Sequence, residues 1–377
     1  MSEDAAPKVF LNISTSAVQR HIPDTKPLMQ IALVIDTGAG MSGIDSVIKS
    51  QLWKIANSLV SAEKDGIPAE VNIAVYEYGN DSIPAGQKHT RKILSFVPDF
   101  DAVAEKLFLL KFRGKNKYCG AAIWASINGL DWDRGQDVYK AIFIIGNGSF
   151  FDGPVDYRNA VAASSRKGIQ VNCIYYGSKE QGIEAGWAGC SDLGAGKYSN
   201  YEYAAKFVEE QTQFDKKILK LGSEFNRMYL PLSSGDKIRY KVISKLDSST
   251  KKMASSGAYI ERIVFKATDQ YLSSSWDSLD GIKTGNIKVS ELSSSVLPKE
   301  IRNMSLSEME EYFNVKASAR KRLVDKIRAL GIQRRRYLAE LPEKGKDNIN
   351  GSRALSFADT FLKIAGEQAA LKNFKFR

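Results

Sequence analysis

The first half of the chain alternates between short, largely apolar segments and longer ones in which apolar residues return every three or four positions. Ile31-Ala-Leu-Val-Ile-Asp36, Val71-Asn-Ile-Ala-Val-Tyr-Glu-Tyr78, Lys140-Ala-Ile-Phe-Ile-Ile145 and Gln170-Val-Asn-Cys-Ile-Tyr-Tyr176 are each closed by glycine or a glycine-rich turn. Apolar runs of that length, bounded in that way, read as strands buried on both faces. Between them, Val47, Ile48, Leu52, Ile55, Leu59 and Val60 fall on one helical stripe, ended by Gly66-Ile-Pro68. Further helical patterns cover about 100–110, 119–130 and 156–167, and 93–97 reads as a short edge strand. Strands alternating with helices at this spacing predict a mostly parallel sheet covered on both sides, a doubly wound α/β domain. Trp187 to Tyr198 reads as a helical turn, a glycine turn and a last edge strand, so the domain is expected to close near residue 205.

Beyond that point no long apolar strand recurs. Helical patterns over 204–229, 232–256 and 258–271 are interrupted by serine-rich turns such as Ser273-Ser-Ser-Trp-Asp277. Ser305 with Glu308 has capping-box spacing and opens a helix running to Glu340. A final helix is expected over 356–371. The division that follows is an N-terminal extension (1–27), an α/β domain (28–205) and a helical C-terminal module (206–377). That module either packs on the α/β domain or projects as a short coiled hairpin, and Trp276 would anchor it to a core. Tyr198, Tyr201 and Tyr203 alternate as an edge strand would, with aromatics facing the tail.

Asp36 ends its apolar strand where open α/β sheets bind ligands, and the turn Thr37-Gly38-Ala-Gly40 follows it. This segment resembles the start of a von Willebrand factor A domain. So do the Tyr76 strand, the Cys119-Gly120 helix start, the Ile145-Gly-Asn147-Gly turn and the Gly194-Ala-Gly196-Lys-Tyr198 edge strand. The resemblance implies a vWA, Rossmann-like sheet with one antiparallel edge strand. It also implies a metal-ion-dependent adhesion site at Asp36, Gly38, Gly40, Cys119 and Asn147. Only Asp36 keeps the family's ligand type there. Glycine supplies no side-chain oxygen, a thiol is a poor magnesium ligand, and Asn147 replaces a carboxylate with a neutral carbonyl. The site is therefore degenerate: no cofactor is expected, beyond weak magnesium or manganese binding, and Asp36 is left to accept hydrogen bonds from the turn's amides.

A second resemblance covers nearly the whole chain. Tyr118-Cys-Gly120, Phe143-Ile-Ile-Gly-Asn147, Gly153-Pro-Val-Asp-Tyr157, Ser274-Ser-Trp-Asp277, Leu297-Pro298 and Asn373-Phe-Lys-Phe376 are similar to a branch of exported bacterial vWA proteins with a helical tail. It implies a periplasmic or otherwise exported location, with the cytoplasm as the alternative, and no particular activity. The sequence as given begins without a basic, apolar leader, and no apolar stretch approaches the roughly 20 residues of a membrane span.

Composition adds exclusions. There are 377 residues, of which 43% are hydrophobic and 26% charged, as in a soluble globular protein. Two histidines, His21 and His89, stand apart from Cys119, Cys173 and Cys190, which argues against a histidine-based catalytic or transition-metal site. The cysteines are expected to be three buried thiols, with one bridge as the alternative. The net charge of +11 reads first as general solubility, with anionic partners such as nucleic acid, acidic lipid or an acidic protein as the alternative. Arg320, Lys321, Arg322, Lys326, Arg328 and Arg334 to Arg336 crowd one helix, but interspersed Glu308, Glu310, Glu311, Asp325, Glu340 and Glu343 read as a solvated face or a protein contact rather than a nucleic-acid surface.

The expectation is thus a non-enzymatic interaction or scaffold protein. It would bind a protein partner through the top edge of its sheet, using Asp36, Gly120, Asn147, Phe150 and Phe151, with the two phenylalanines as exposed anchors. The alternatives are a metal-dependent adhesion module recruiting Thr37, Ser42 or a partner's carboxylate, and a basic-helix nucleic-acid binder.

Overall fold

A computed structural model describes residues 26–202, 211–233, 235–253, 256–292, 297–341 and 356–377. The apolar runs and helical stripes fold in order as β1 (Leu28–Asp36), α1 (Ser42–Leu59), β2 (Ala62–Lys64), β3 (Ile67–Pro68), β4 (Glu70–Tyr78), β5 (Thr90–Val97), α2 (Phe100–Leu109), α3 (Cys119–Gly129) and β6 (Tyr139–Gly146). There follow α4 (Tyr157–Arg166), β7 (Gln170–Tyr176), α5 (Lys179–Glu184), α6 (Trp187–Leu193) and β8 (Tyr198–Tyr201).

The main sheet has the order β5-β4-β1-β6-β7-β8. Every pairing is parallel except β4 with β5, the antiparallel edge. This is the vWA-type, doubly wound α/β arrangement. Because β1 pairs with β4 on one side and β6 on the other, the order reverses at β1, and its carboxyl end is the switch point where such sheets form a crevice. Alternate side chains enter two cores. Val34, Tyr76, Tyr78, Ile144 and Cys173 pack under α3, α4 and α6. Leu33, Ile35, Val75, Phe143 and Ile145 pack under α1, α2 and the end of the chain.

The second half continues with α7 (Asp215–Asn226), α8 (Asp236–Lys251), α9 (Ser256–Lys266), α10 (Ser278–Lys283), α11 (Leu306–Glu340), α12 (Phe357–Ala370) and β9 (Phe374–Phe376). Ser305 and Glu308 form the expected capping box at the start of α11.

The boundary at 205 needs correction at its far end. Helix α12 lies on the sheet: Phe361 stacks on Phe143 at 4.0 Å between ring centroids, and Tyr201 meets Phe357 edge-on. Its Gln368 exchanges two amide hydrogen bonds with Asn172 of β7 (2.7 and 3.0 Å) and accepts one from the Tyr139 hydroxyl (2.9 Å). Strand β9 then pairs with β2 in a small sheet of order β3-β2-β9. Residues 357–376 thus complete the α/β core, and α7–α11 form an insertion before its last helix.

The insertion packs on the domain instead of projecting. Fully buried Arg262 of α9 pairs with Asp101 of α2 and Asp247 of α8, both at 2.6 Å, and lies 4.4 Å over the Trp53 ring of α1. Asn57 of α1 donates to the Glu261 carboxylate at 2.7 Å. Trp276 is buried within the insertion's own core beside Tyr229, as an anchor should be. Arg320 and Arg334 are not on a solvated face: both are buried and paired, with Asp277 and with Asp215 and Glu261 respectively. Tyr203 lies outside the described residues.

Candidate functional site

Asp36 leaves β1 fully buried at the switch point. Its Oδ1 accepts from the Gly38 amide at 2.7 Å and its Oδ2 from the Asn147 amide, just past the end of β6, at 3.3 Å. The expected turn-capping role is therefore present. The third partner was not foreseen. The Lys117 ammonium, from the loop before α3, stands 3.2 Å from Asp36 Oδ2 and donates to the Asn147 side-chain carbonyl. A tethered monocation thus sits between two positions that the vWA resemblance assigns to metal ligands.

The glycines make room for it. A Cβ at Gly38 would lie 2.6 Å from Lys117 Cε and 2.9 Å from Asp36 Oδ1. Gly79 and Gly148 border the same stem: added Cβ atoms there would lie 3.2 Å from its Cγ and 2.6 Å from its Cβ. The loop that carries Lys117 is clamped by its backbone, Arg113 N to Thr37 O and Ala39 N to Gly114 O, each at 2.7 Å. Gly114, at φ +113°, permits that close approach over β1 and β4.

The electrostatics follow from burial. Desolvation pushes the Asp36 carboxyl above the usual carboxylate range, while Lys117 and then the two amides pull it back. Burial, reinforced by Asp36, pushes the Cys119 thiol far up as well. That thiol contacts the Tyr78 hydroxyl at 3.7 Å and, among the described residues, no histidine bonds to it, so it is held protonated and does not resemble an activated nucleophile.

These residues do not fit a divalent ion. Among the five positions that the resemblance assigns, Asp36 is the lone carboxylate, and its oxygens already serve two amides and an ammonium. Thr37 Oγ1 is turned away, toward Glu77 Oε2 and the Tyr78 carbonyl, both at 3.2 Å. The Ser42 side chain lies outside what is described. No group of three or more His, Cys, Asp or Glu side chains disposed to hold a metal occurs among the described residues. Cys119, Cys173 and Cys190 are all buried free thiols.

Of the residues expected to meet a partner, Asp36 and Gly120 are buried, and a side chain on Gly120 would collide with the Val155 carbonyl. Phe150 is also buried, which corrects its reading as an exposed anchor. Its ring packs edge-on against Tyr157 and Trp187 at 5.3 and 5.0 Å. The Trp187 indole in turn donates to Gly148 O at 2.7 Å and stiffens the 147–151 turn. Asn147 is half-buried, while Phe151 is 60% exposed and borders Gly186. Ile183, 49% exposed, is linked to the same place by the hydrogen bond from Gly186 N to Ile183 O.

No family profile matches the chain, and no curated protein does. Among solved structures it is similar to proximal thread matrix protein 1 from the mussel byssus, at 9% identity and TM-score 0.35, over 47% of this chain and 42% of that one. It is also similar to a von Willebrand factor type A protein from Catenulispora acidiphila, at 14% identity and TM-score 0.35, over 47% of this chain and 39% of that one. The SpRpn10 VWA domain is similar at 13% identity and TM-score 0.34, over 48% of this chain and 90% of that domain. The chain thus spans less than half the length of the first two. The fold assignment rests on the strand order and registers given above.

Proposed function

We propose that this protein is a non-enzymatic interaction or scaffold protein whose vWA-type domain binds a protein partner through the upper edge of its sheet without an ion bridge. The observation that carries the reading is the Lys117 ammonium lodged between Asp36 and Asn147. It supplies positive charge from within the chain and leaves the edge rigid and closed. The high-lying Cys119 thiol, to which no histidine bonds among the described residues, supports a non-enzymatic role. The partner surface is the apolar pair Phe151 and Ile183 with the rim of Asn147. In this reading the protein is exported, as its resemblance to the exported vWA branch implies. Among the described residues no helix is long and apolar enough to cross a membrane.

A photo-crosslinking amino acid at Phe151 in the native cells tests this directly. A discrete protein adduct is expected from position 151 and not from Trp124, 40% exposed on α3. Phe151→Ser with Ile183→Ser should abolish the adduct partner's capture with an unchanged melting temperature. Capture that survives the double substitution contradicts the surface, and fractionation of the protein with the cytoplasm contradicts the location.

A further inference from the structure

The charge of this chain is concentrated. Residues 211–341 hold 25 of the 54 Lys and Arg but only 15 of the 43 Asp and Glu, so +10 of the net +11 lies in the insertion and the rest of the chain is nearly neutral. Within the insertion α8 is distinctive. Its inward side buries Ile243, Leu246 and Thr250. At about 100° per residue, Lys237, Lys241, Lys245 and Lys251 share the outward side, with Lys252 at its end, and all five are exposed. None of these lysines pairs with a carboxylate among the described residues, and the outward side carries no acidic residue. Asp236 bonds Ser233, Asp247 is taken by Arg262 and Lys266, and the helix's own Arg239 is turned to Asp99 and Glu105. Ile238, 69% exposed, and Tyr240, 36% exposed, flank the lysines.

We infer that the outward face of α8 is a docking surface for an anionic lipid bilayer. Charge complementarity calls for a polyanion, and the composition of the face selects the kind. Lysines are point charges that suit headgroups, whereas the Arg, Asn and Gln side chains that read base edges are missing from it. An exposed isoleucine gains nothing against a phosphodiester backbone but gains burial at the headgroup–acyl boundary, where tyrosine also sits well. The surface lies on the insertion and is independent of the upper edge of the sheet.

Flotation of the full chain with vesicles of phosphatidylcholine alone, and of phosphatidylcholine mixed with phosphatidylglycerol, tests the inference at low and high salt. Binding is expected only to the anionic vesicles and should weaken with salt. Lys237→Glu, Lys241→Glu and Lys245→Glu together should reduce it by ~100-fold or more. Ile238→Ser should remove the part that survives high salt. Lys→Gln at the same three positions serves if charge reversal disturbs folding. Arg335→Glu with Arg336→Glu, on α11, should leave binding intact. Equal binding to both vesicle types, binding unaffected by the α8 substitutions, binding lost through the α11 pair, or capture of a fluorescent DNA duplex in place of vesicles would each overturn the proposal.

Discussion

Replacing Lys117 by Met keeps the stem that fills the space beside Gly38, Gly79 and Gly148 while removing the charge. Asp36, with no exposed surface, then loses its ion-pair partner and keeps only two amide donors. Breaking a buried pair from one side costs ~3–5 kcal/mol. Because Lys117 retains 13% side-chain exposure, the lower end applies, about 3 kcal/mol at neutral pH. The pH dependence has a definite sign. Burial already raises the Asp36 pKa, and losing Lys117 removes the largest opposing influence, so the variant's folded state binds the Asp36 proton more readily than its unfolded state. Stability must then rise as pH falls through the folded value, toward the ordinary carboxylate range of about 3.9. The variant's deficit should accordingly shrink in acid. Asp36→Asn in the Lys117→Met background should recover most of it, because no buried charge is left unpaired. Urea unfolding followed by circular dichroism at several pH values measures all three quantities. A deficit under about 0.5 kcal/mol, within the usual range for surface substitutions, refutes the reasoning. So does a larger deficit that neither acid nor Asp36→Asn relieves.

Two further outcomes follow from the packing. Gly38→Ser places a Cβ 2.6 Å from Lys117 Cε, so it should destabilise by about 1–3 kcal/mol through overpacking, and Lys117→Ala should relieve most of that in a double-mutant cycle. Phe361→Ala empties the stack on Phe143 and should cost about 3–5 kcal/mol by urea unfolding, whereas a tail independent of the sheet would show little loss of sheet stability.

The fold was legible because β1, β4, β6 and β7 are buried on both faces, and their apolar runs say so. The main-sheet strands, the helices α1–α4 and the Ser305–Glu308 cap could be read from local pattern; the antiparallel sense of the edge came from the vWA resemblance, and β2, β3 and α5 were not foreseen. The place of α12 could not, since an amphipathic stripe has the same period whichever core it meets. Phe150 and Phe151 stand in a turn with no period at all, and contact with Tyr157 and Trp187 decides which is buried. For Arg320 and Arg334 a signal existed: with Ile327 they recur at seven-residue spacing, one stripe of a helix, and the acidic residues spread along the segment obscured it.

The glycines after Asp36 argue against the family's ligand set, but they point only to a loss. Lys117 lies far away in sequence, in what reads as an ordinary basic loop, and its arrival depends on three glycines bordering its stem. A missing side chain beside a buried carboxylate is a signal that something else fills the space. The sequence alone does not say which residue.

The account turns on a lysine occupying the place that the vWA resemblance assigns to an ion. Calorimetric titration of the wild-type protein with magnesium and with manganese tests that most directly. The structure predicts no saturable heat and no melting shift at millimolar ion, since the Lys117 ammonium and two backbone amides engage Asp36 and Thr37 Oγ1 is turned to Glu77. Saturable binding to the wild-type protein, abolished by Asp36→Asn, would contradict it.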